Sequence, residues 1–328
     1  MISMKVAVLY QANKPPVIDG IVKPMKPGGY SDSGADIAYC LVKNGIPVAL
    51  PVKSPDVLCD TDWCFPDTKN GIEAAVKAGA DTLWLNTVLY SGHPVESFGG
   101  IYAVGQRSYD VSLYDDKYRT NSFLRQCGLA AGTEQIVCAD TEYDGDFPCV
   151  LKPIRGRGSQ GVVKCGNRDE FEYCKNLEIN KKIYGDKLMA EEYLSGSEVT
   201  LSVLPGKADF PFVERFNHKN GIAPYSGDVP VEENSRVVLK DDDALRVLRA
   251  DCNKAVELLD LKGLVRIDCR ADVNGRYKMF DFNLKPNMTG AVRSHRMNQS
   301  SLTAIAAKAV GMSYFDLLCL MLDGRWEI

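Results

Sequence analysis

Histidine is scarce in this sequence, with three in 328 residues, and no Ser-His-Asp or Cys-His arrangement stands out. Zinc sites and histidine-activated nucleophiles therefore have little to build on. An excess of one charge is also missing: 39 Lys and Arg face 43 Asp and Glu, a net of −4. Nucleic-acid proteins carry a basic excess, so no nucleic-acid partner is expected. No apolar run approaches the ~20 residues that span a bilayer, so no membrane partner is expected either. The opening MISMKVAVLY lacks the long apolar stretch of a secretory signal and reads as a first strand. There is no internal repeat and no low-complexity segment. The eleven cysteines are an odd number and scattered, and their tightest spacing, Cys59 to Cys64, has no second pair. Cys40, Cys149, Cys269 and Cys319 sit in apolar runs, as buried thiols of a reducing cytoplasm would.

What is present is an ordinary globular composition, 45% hydrophobic and 25% charged, enough for two or three domains. Val6–Tyr10 reads as a buried strand, and the Pro-, Gly- and Lys-rich 11–29 as a long loop of the kind often given to function. A helix is expected over 34–44, stopped by Gly45. A short strand over 47–51, a helix over 68–80 and a strand over 82–85 follow. Strands alternating with helices imply a parallel sheet, ending near residue 105. Residues 114–128 read as an amphipathic helix that leaves Lys117 exposed. Segment 211–240 reads as strands and loop, 241–260 as a long helix, and 299–310 and 313–322 as closing helices split at Gly311.

The most informative stretch is Val265–Gly290, VRIDCRADVNGRYKMFDFNLKPNMTG. Two apolar-alternating runs flank Asn274-Gly275, a strong signal for a two-residue hairpin turn. That turn sets Asp268 opposite Asp281 and Arg266 opposite Asn283, all on one face. Val265, Ile267, Cys269, Phe280, Phe282 and Leu284 then belong to a core face. Like charges directly across a hairpin destabilise it. Two carboxylates and an amide converging beside an arginine point to a divalent cation, Mg²⁺ or Mn²⁺, completed by water and substrate phosphate. From the hairpin alone, a solvated face with two incidental acids remains an equal reading.

The second informative stretch is Phe147–Cys165, FPCVLKPIRGRGSQGVVKC. Gly156, Gly158 and Gly161 match GxGxxG, which denotes a dinucleotide fold only between a strand and a helix. Here the β-branched Val162 and Val163 follow, so the loop reads as the tip of a hairpin. Such a tip folds over phosphates and offers backbone N–H donors, with the Lys152 ammonium joining them. A plain glycine-containing surface hairpin is the alternative. In LMAEEYLSGSEVTLSVLP, Glu191 and Glu192 end one strand and Glu198 opens another, placed to accept from ribose hydroxyls beside a backbone segment that binds adenine. Such acids more often face solvent.

Together, Asp116-Lys117, LKPIRGRGSQG, EEYLSGSEVTLSVL and VRIDCRAD…FDFNLKPNMTG resemble the ATP-grasp superfamily, and more narrowly the D-alanine–D-alanine ligases, in that family's order. The resemblance covers about 100–328. It implies an α/β fold, α+β in the ATP-grasp part, with three domains: 1–105, a central 106–195 and a C-terminal 196–328, with ATP held between the last two. It implies Lys117 and Lys152 on the ATP phosphates, Ser159 and the glycine loop (Gly156, Gly158, Gly161) over them, Glu191 and the backbone around Leu194 on adenine, and Glu198 on ribose. Asp268, Asp281 and Asn283 would hold two Mg²⁺ ions, with Mn²⁺ as a substitute. Arg266 would sit by the transferred phosphate, with a backbone N–H near Asn287 helping to stabilise the oxyanion. The implied catalytic set is Arg266, Lys152 and Ser159, and the implied assembly is a homodimer.

Three departures lie at the substrate end. The family's Glu-x-Asn is Asp281-Phe282-Asn283. The run after Met288-Thr289 is Gly290-Ala291-Val292-Arg293, for which Arg293, with His295, is expected as a carboxylate clamp. The family's glutamate after the first strand is missing, leaving Asp32 or Asp36 as candidates for the substrate amine, and Lys219 is a candidate for a further phosphate lysine. The expected function is an ATP- and Mg²⁺-dependent carboxylate–amine ligase for amino-acid-like substrates in a specialised pathway. The rivals are D-alanyl-D-alanine synthesis, a bicarbonate-activating relative and a non-catalytic ATP-binding module.

Overall fold

The computed structural model describes residues 4–224 and 230–328. The part of the expected strand-and-loop segment at 225–229 lies outside the described residues. Strands β1 (Val6–Tyr10), β2 (Phe65–Pro66), β3 (Thr82–Asn86) and β4 (Tyr102–Val104) form a parallel sheet. The expected strand at 47–51 reduces to a single bridge from Val48 to Val6. Helix α1 (Ser31–Lys43) starts earlier than the periodicity indicates, out of a 3₁₀ turn at Pro27–Tyr30. Gly29 there has φ 56°, and a Cβ on it would lie 1.7 Å from the Gln11 carbonyl oxygen, so only glycine fits. Helix α2 (Lys69–Lys77) is capped by Thr68, whose side chain accepts from Gly71 N–H.

Helices α3 (Ser108–Tyr114) and α4 (Lys117–Gln126) lead into an antiparallel sheet of β5 (Glu134–Val137), β6 (Cys149–Pro153), β7 (Val163–Cys165) and β8 (Leu188–Glu192). The expected helix over 114–128 begins only at Lys117, where Asp116 caps it. Helix α5 (Arg168–Lys181) is an element the sequence reading passed over. A second antiparallel sheet contains β9 (Glu198–Leu204), β10 (Ala208–Asp209), β11 (Phe212–Arg215), β12 (Ser235–Val238), β13 (Val265–Ala271) and β14 (Tyr277–Asn283). Helix α6 (Asp243–Leu258) precedes the β13–β14 hairpin. Helices α7 (Leu302–Ala309) and α8 (Tyr314–Asp323) follow it. The short β15 (Trp326–Glu327) then returns to pair antiparallel with β4.

The β13–β14 hairpin corrects the expected turn in an instructive way. Asp272 N–H donates to the Arg276 carbonyl, so the loop is the three residues Val273, Asn274 and Gly275, with Gly275 at φ 79°. Cys269, Arg270 and Ala271 pair with Met279, Lys278 and Tyr277. The register then shifts, leaving Phe280 unpaired as a bulge, and Asp268 meets Asp281 while Arg266 meets Asn283. The extra loop residue and the bulge cancel, which is why the expected facing pairs hold although the expected turn does not. Met279, fully buried, takes the core place assigned to Phe280.

The cores do not follow the chain's order. One apolar cluster joins the N-terminal sheet (Leu9, Leu83) to the C-terminal sheet and α6 (Leu201, Leu248, Ile267). A second joins α1 (Ile37, Leu41) to α7 and α8 (Leu302, Leu317). The central sheet has its own core around Phe171, Leu151 and Tyr143.

Arg293, expected to hold a substrate carboxylate, is fully buried away from the cleft. Its guanidinium donates to Asp36 Oδ1 (2.7 Å), Asp60 Oδ1 (2.7 Å), the Val57 carbonyl (3.1 Å) and the Asp32 carbonyl (3.0 Å). With its donors engaged by α1 and the loop after it, it fastens the C-terminal region to the N-terminal domain and is no clamp. His295 is exposed. Breaking a buried pair leaves a bare charge, so Arg293→Met should lower unfolding free energy by about 3–5 kcal/mol. The Asp36→Asn/Arg293→Met double variant should lose less than the single. Urea unfolding of both variants checks this.

Candidate active site

A cleft of about 360 Å³ opens between the two antiparallel sheets and is lined as well by Lys26, Tyr30 and Asp32 from the N-terminal region, a volume typical of small-molecule sites. Its roof is the β6–β7 hairpin, whose tip carries Gly156, Gly158, Ser159 and Gly161. Gly158, Ser159 and Gly161 all have φ between 56° and 73°, the left-handed region that L side chains avoid. A Cβ on Gly161 would stand 2.5 Å from the Tyr184 ring. Arg157, at the same tip, donates to the carbonyls of Pro24 and Met25, so the glycine hairpin meets the long loop 11–29. That loop also supplies Lys26 to the cleft.

The floor is the polar face of β13–β14. Asp268 accepts both oxygens' worth of contact from Arg266, Nε and Nη2 each at 2.9 Å, and Asn283 Nδ2 donates to it at 3.0 Å. Burial alone would raise the Asp268 carboxyl, but the guanidinium outweighs it and holds the pKa below the usual range. Asp281 Oδ1 lies 3.1 Å from Lys117 Nζ. Lys117 is therefore shielded, contrary to the exposure its helical position indicates. Against the burial penalty, Asp281 and Asp115 raise its pKa. Each of the facing carboxylates is thus balanced by its own cation, which is how the hairpin tolerates them.

On the opposite sheet Lys152 Nζ reaches Glu191 Oε1 (2.7 Å), donates to the Phe280 carbonyl (3.2 Å) and lies 5.0 Å from the Phe280 ring centroid. The bulge residue is therefore a cleft residue that bridges the two sheets. Glu191 is buried, and burial pushes its carboxyl pKa up against the pull of Lys152. Its Oε2 has no hydrogen-bond partner and is closed to solvent. Such an unsatisfied buried acceptor is costly and adds to the raised pKa of the group. Glu198 accepts from His218 (2.8 Å), with Arg270 at 3.8 Å. Leu194 and Asn287 line the cleft, and Asn287 Oδ1 also lacks a partner. Lys219 is exposed and outside the cleft, and Arg215 lines the wall instead.

Among the described residues no group of three or more His, Cys, Asp or Glu is placed to hold a metal. Asp268, Asp281 and Asn283 offer an all-oxygen set on one face, which suits a hard cation whose remaining positions come from phosphate and water. The donor set fits Mg²⁺ bound with a nucleotide and not a metal bound by protein alone.

Several further residues line the cleft, of which the sequence reading gave a role to Asp32 alone. Tyr30, with φ 65°, faces Lys285, and Lys26 and Arg296 share Asp32 (2.8 and 3.1 Å). All five line the cleft. Asp36, the other candidate for an amine, is buried on Arg293.

Two antiparallel sheets clasping a cleft, a glycine-rich hairpin above and a carboxylate-bearing hairpin below, define the ATP-grasp class. The chain belongs to the family described as D-ala D-ala ligase C-terminus, whose model matches residues 123–323. Among curated relatives, a D-alanine–D-alanine ligase of Psychrobacter sp. (strain PRwf-1) is 30% identical over 215 residues, 62% of this chain and 60% of that protein. The Aquifex aeolicus (strain VF5) ligase is 30% identical over 184 residues, 56% and 58% of the two chains. The match thus spans less than two thirds of either relative. The fold is that of a Bacillus anthracis D-alanine–D-alanine ligase solved with ATP (TM-score 0.69, 18% identity, 99% and 97% of the chains). It is also that of the Enterococcus faecalis VanG D-Ala:D-Ser ligase (TM-score 0.65, 14% identity, 98% and 99%).

Glu134, directly across from Glu191 in the sheet, was not a sequence candidate. Burial, more than Arg125 beside it offsets, lifts its carboxyl from 4.5 to about 7. The folded state then keeps a proton that the unfolded chain releases, so ionising this group costs stability between about pH 4.5 and 7. Glu134→Gln should remove this fall, seen as a flatter slope of urea-unfolding free energy across that range. Equal slopes in the two proteins would show that Glu134 titrates normally.

Proposed function

We propose that the protein is an ATP- and Mg²⁺-dependent carboxylate–amine ligase. It joins amino acids or amino-acid-like substrates through an acyl phosphate and releases ADP and phosphate. The supporting observation is the convergence of Lys117, Lys152, Arg266, Asp268, Asp281 and Asn283 from facing sheets on one cleft beneath the glycine hairpin. The reading assigns the triphosphate to Lys117, Lys152 and the backbone of Gly158–Gly161. Glu191 and the backbone around Leu194 hold adenine, and Glu198 takes the ribose. Asp268, Asp281 and Asn283 hold two Mg²⁺ ions, which neutralise phosphate charge when bound.

A carboxylate is a poor acyl donor because its oxygen would have to leave as oxide. Phosphorylation by ATP replaces that leaving group with phosphate, and positioning with charge neutralisation carries the step. Arg266, held in plane by Asp268, is set to stabilise the tetrahedral oxyanion formed when an amine attacks the acyl carbon. Closure of the glycine hairpin keeps water from the acyl phosphate.

The named relatives favour a second reading, D-alanyl-D-alanine synthesis. A homodimer and a cytoplasmic setting belong to both readings. Phosphate release from Mg-ATP with single and paired L- and D-amino acids, with mass spectrometry of the products, separates them. D-alanine alone giving its dimer establishes the second. Release that needs another pair establishes the first, and none with any pair would remove both. Asp281→Ala should lower kcat by about 10²–10³ with the unfolding midpoint preserved; near-normal turnover would displace the metal assignment.

A further inference from the structure

Beyond the metal-binding pair Asp281 and Asn283, the polar face of the strand continues to Lys285, two residues on, and runs toward the N-terminal domain. The Lys285 ammonium nitrogen is closed to solvent and has no hydrogen-bond acceptor. It sits 3.2 Å from the centroid of the Tyr30 ring, and Lys26 Nζ lies 5.2 Å from the same centroid. Two cations thus converge on one ring. The acid beside them in the cleft, Asp32, is already engaged by Lys26 (2.8 Å) and Arg296 (3.1 Å). Asp36 is taken by Arg293 at 2.7 Å. Arg296 Nε also lies 3.8 Å from Asp36 Oδ1, so Asp32 and Asp36 are both engaged by Lys26, Arg293 and Arg296, and Lys285 is left without a carboxylate of its own.

A buried ammonium without an acceptor is costly, and like charges brought together add to the cost; burial first and Lys26 second push the Lys285 pKa well down. A bound anion offsets both. A pair of simple zwitterionic amino acids brings as many ammonium groups as carboxylates and supplies no surplus anion to hold Lys285 charged. The left-handed Tyr30 (φ 65°, ψ 18°) holds its ring against the lysine, and bulky residues occupy that region mainly where function demands it.

We propose that Lys285 is an anion-docking residue and that this end of the cleft takes a dicarboxylic substrate. One carboxylate is placed to react and the second sits on Lys285 with Lys26 and Arg296 around it. The proposal rests on the ligase reading for the first carboxylate only. The docking itself is testable by binding.

Calorimetric titration of the whole protein, with Mg²⁺ and a non-hydrolysable ATP analogue present, uses L- and D-aspartate, L- and D-glutamate, and L- and D-alanine as probes. At least one acidic probe should bind about tenfold or more tighter than alanine of the same hand, the scale of one charge-assisted contact. In Lys285→Met that preference should vanish while nucleotide and alanine affinities stay within about twofold. Wild-type protein that binds alanine as tightly as every acidic probe would overturn the proposal, and this comparison needs no variant. So would a Lys285→Met protein that keeps the preference. Failure of the ligase reading shows separately, as no phosphate release from ATP with any pair.

Discussion

Two aspartates face each other across the β13–β14 hairpin, and the site is arranged around keeping them there. Unbalanced, Asp268 and Asp281 would push the strands apart. Each is instead held by a cation from a different direction, Arg266 from two positions along the same strand and Lys117 from the first turn of α4. The second contact makes α4 part of the site and fixes the central region against the C-terminal sheet. The opposite wall repeats the device, with Glu191 on Lys152 and Lys152 on the Phe280 carbonyl. On the proposed reading, a nucleotide with its metal ions would replace these internal partners, phosphate for carboxylate and metal for ammonium or guanidinium, with contacts of the same sign. The ligand-free cleft is thus stable without being closed to ligands.

Legibility of this site in the sequence varied with how local the determining physics was. The facing pairs of the hairpin and the β–loop–β form of the glycine stretch follow from alternation and turn chemistry over a few residues, and both were readable. The bulge at Phe280 was not, because its cause is the extra loop residue at Val273–Gly275 and the demand that Met279 face the core. Lys117 read as exposed because helical periodicity knows only its own helix, whereas its partner Asp281 is supplied by another sheet. Arg293 read as a clamp because a motif position says where a residue comes in the chain and not which way its side chain turns. Asp36 and Asp60, over two hundred residues earlier, decide that.

Lys26, Tyr30, Lys285 and Arg296 show the same limit from the other side. Only Lys285 falls within a motif, and there at a position given no role; their meaning arises only when the long loop, the start of α1 and the segment after β14 come together. The family resemblance accounts for the glycine-hairpin and carboxylate end of the cleft in some detail, whereas the end lined by Lys26, Tyr30, Lys285 and Arg296 becomes legible only in the folded chain.

The sharing of cores has a mechanical consequence. Apolar clusters weld the N-terminal sheet and α1 to the C-terminal sheet, α7 and α8, and the buried Arg293 bolts the same two regions together. The central sheet, with its glycine hairpin, packs around its own Phe171 and Tyr143, and meets the rest through the small apolar cluster of Ile21, Ile154 and Met189 and through polar contacts of Arg157, Lys152 and the Lys278–Glu192 pair. Separating polar contacts costs far less than opening an apolar core. The central sheet is therefore the part of the molecule held by the least apolar contact, so on the proposed reading admission of nucleotide and release of product fall to its junction with the rest.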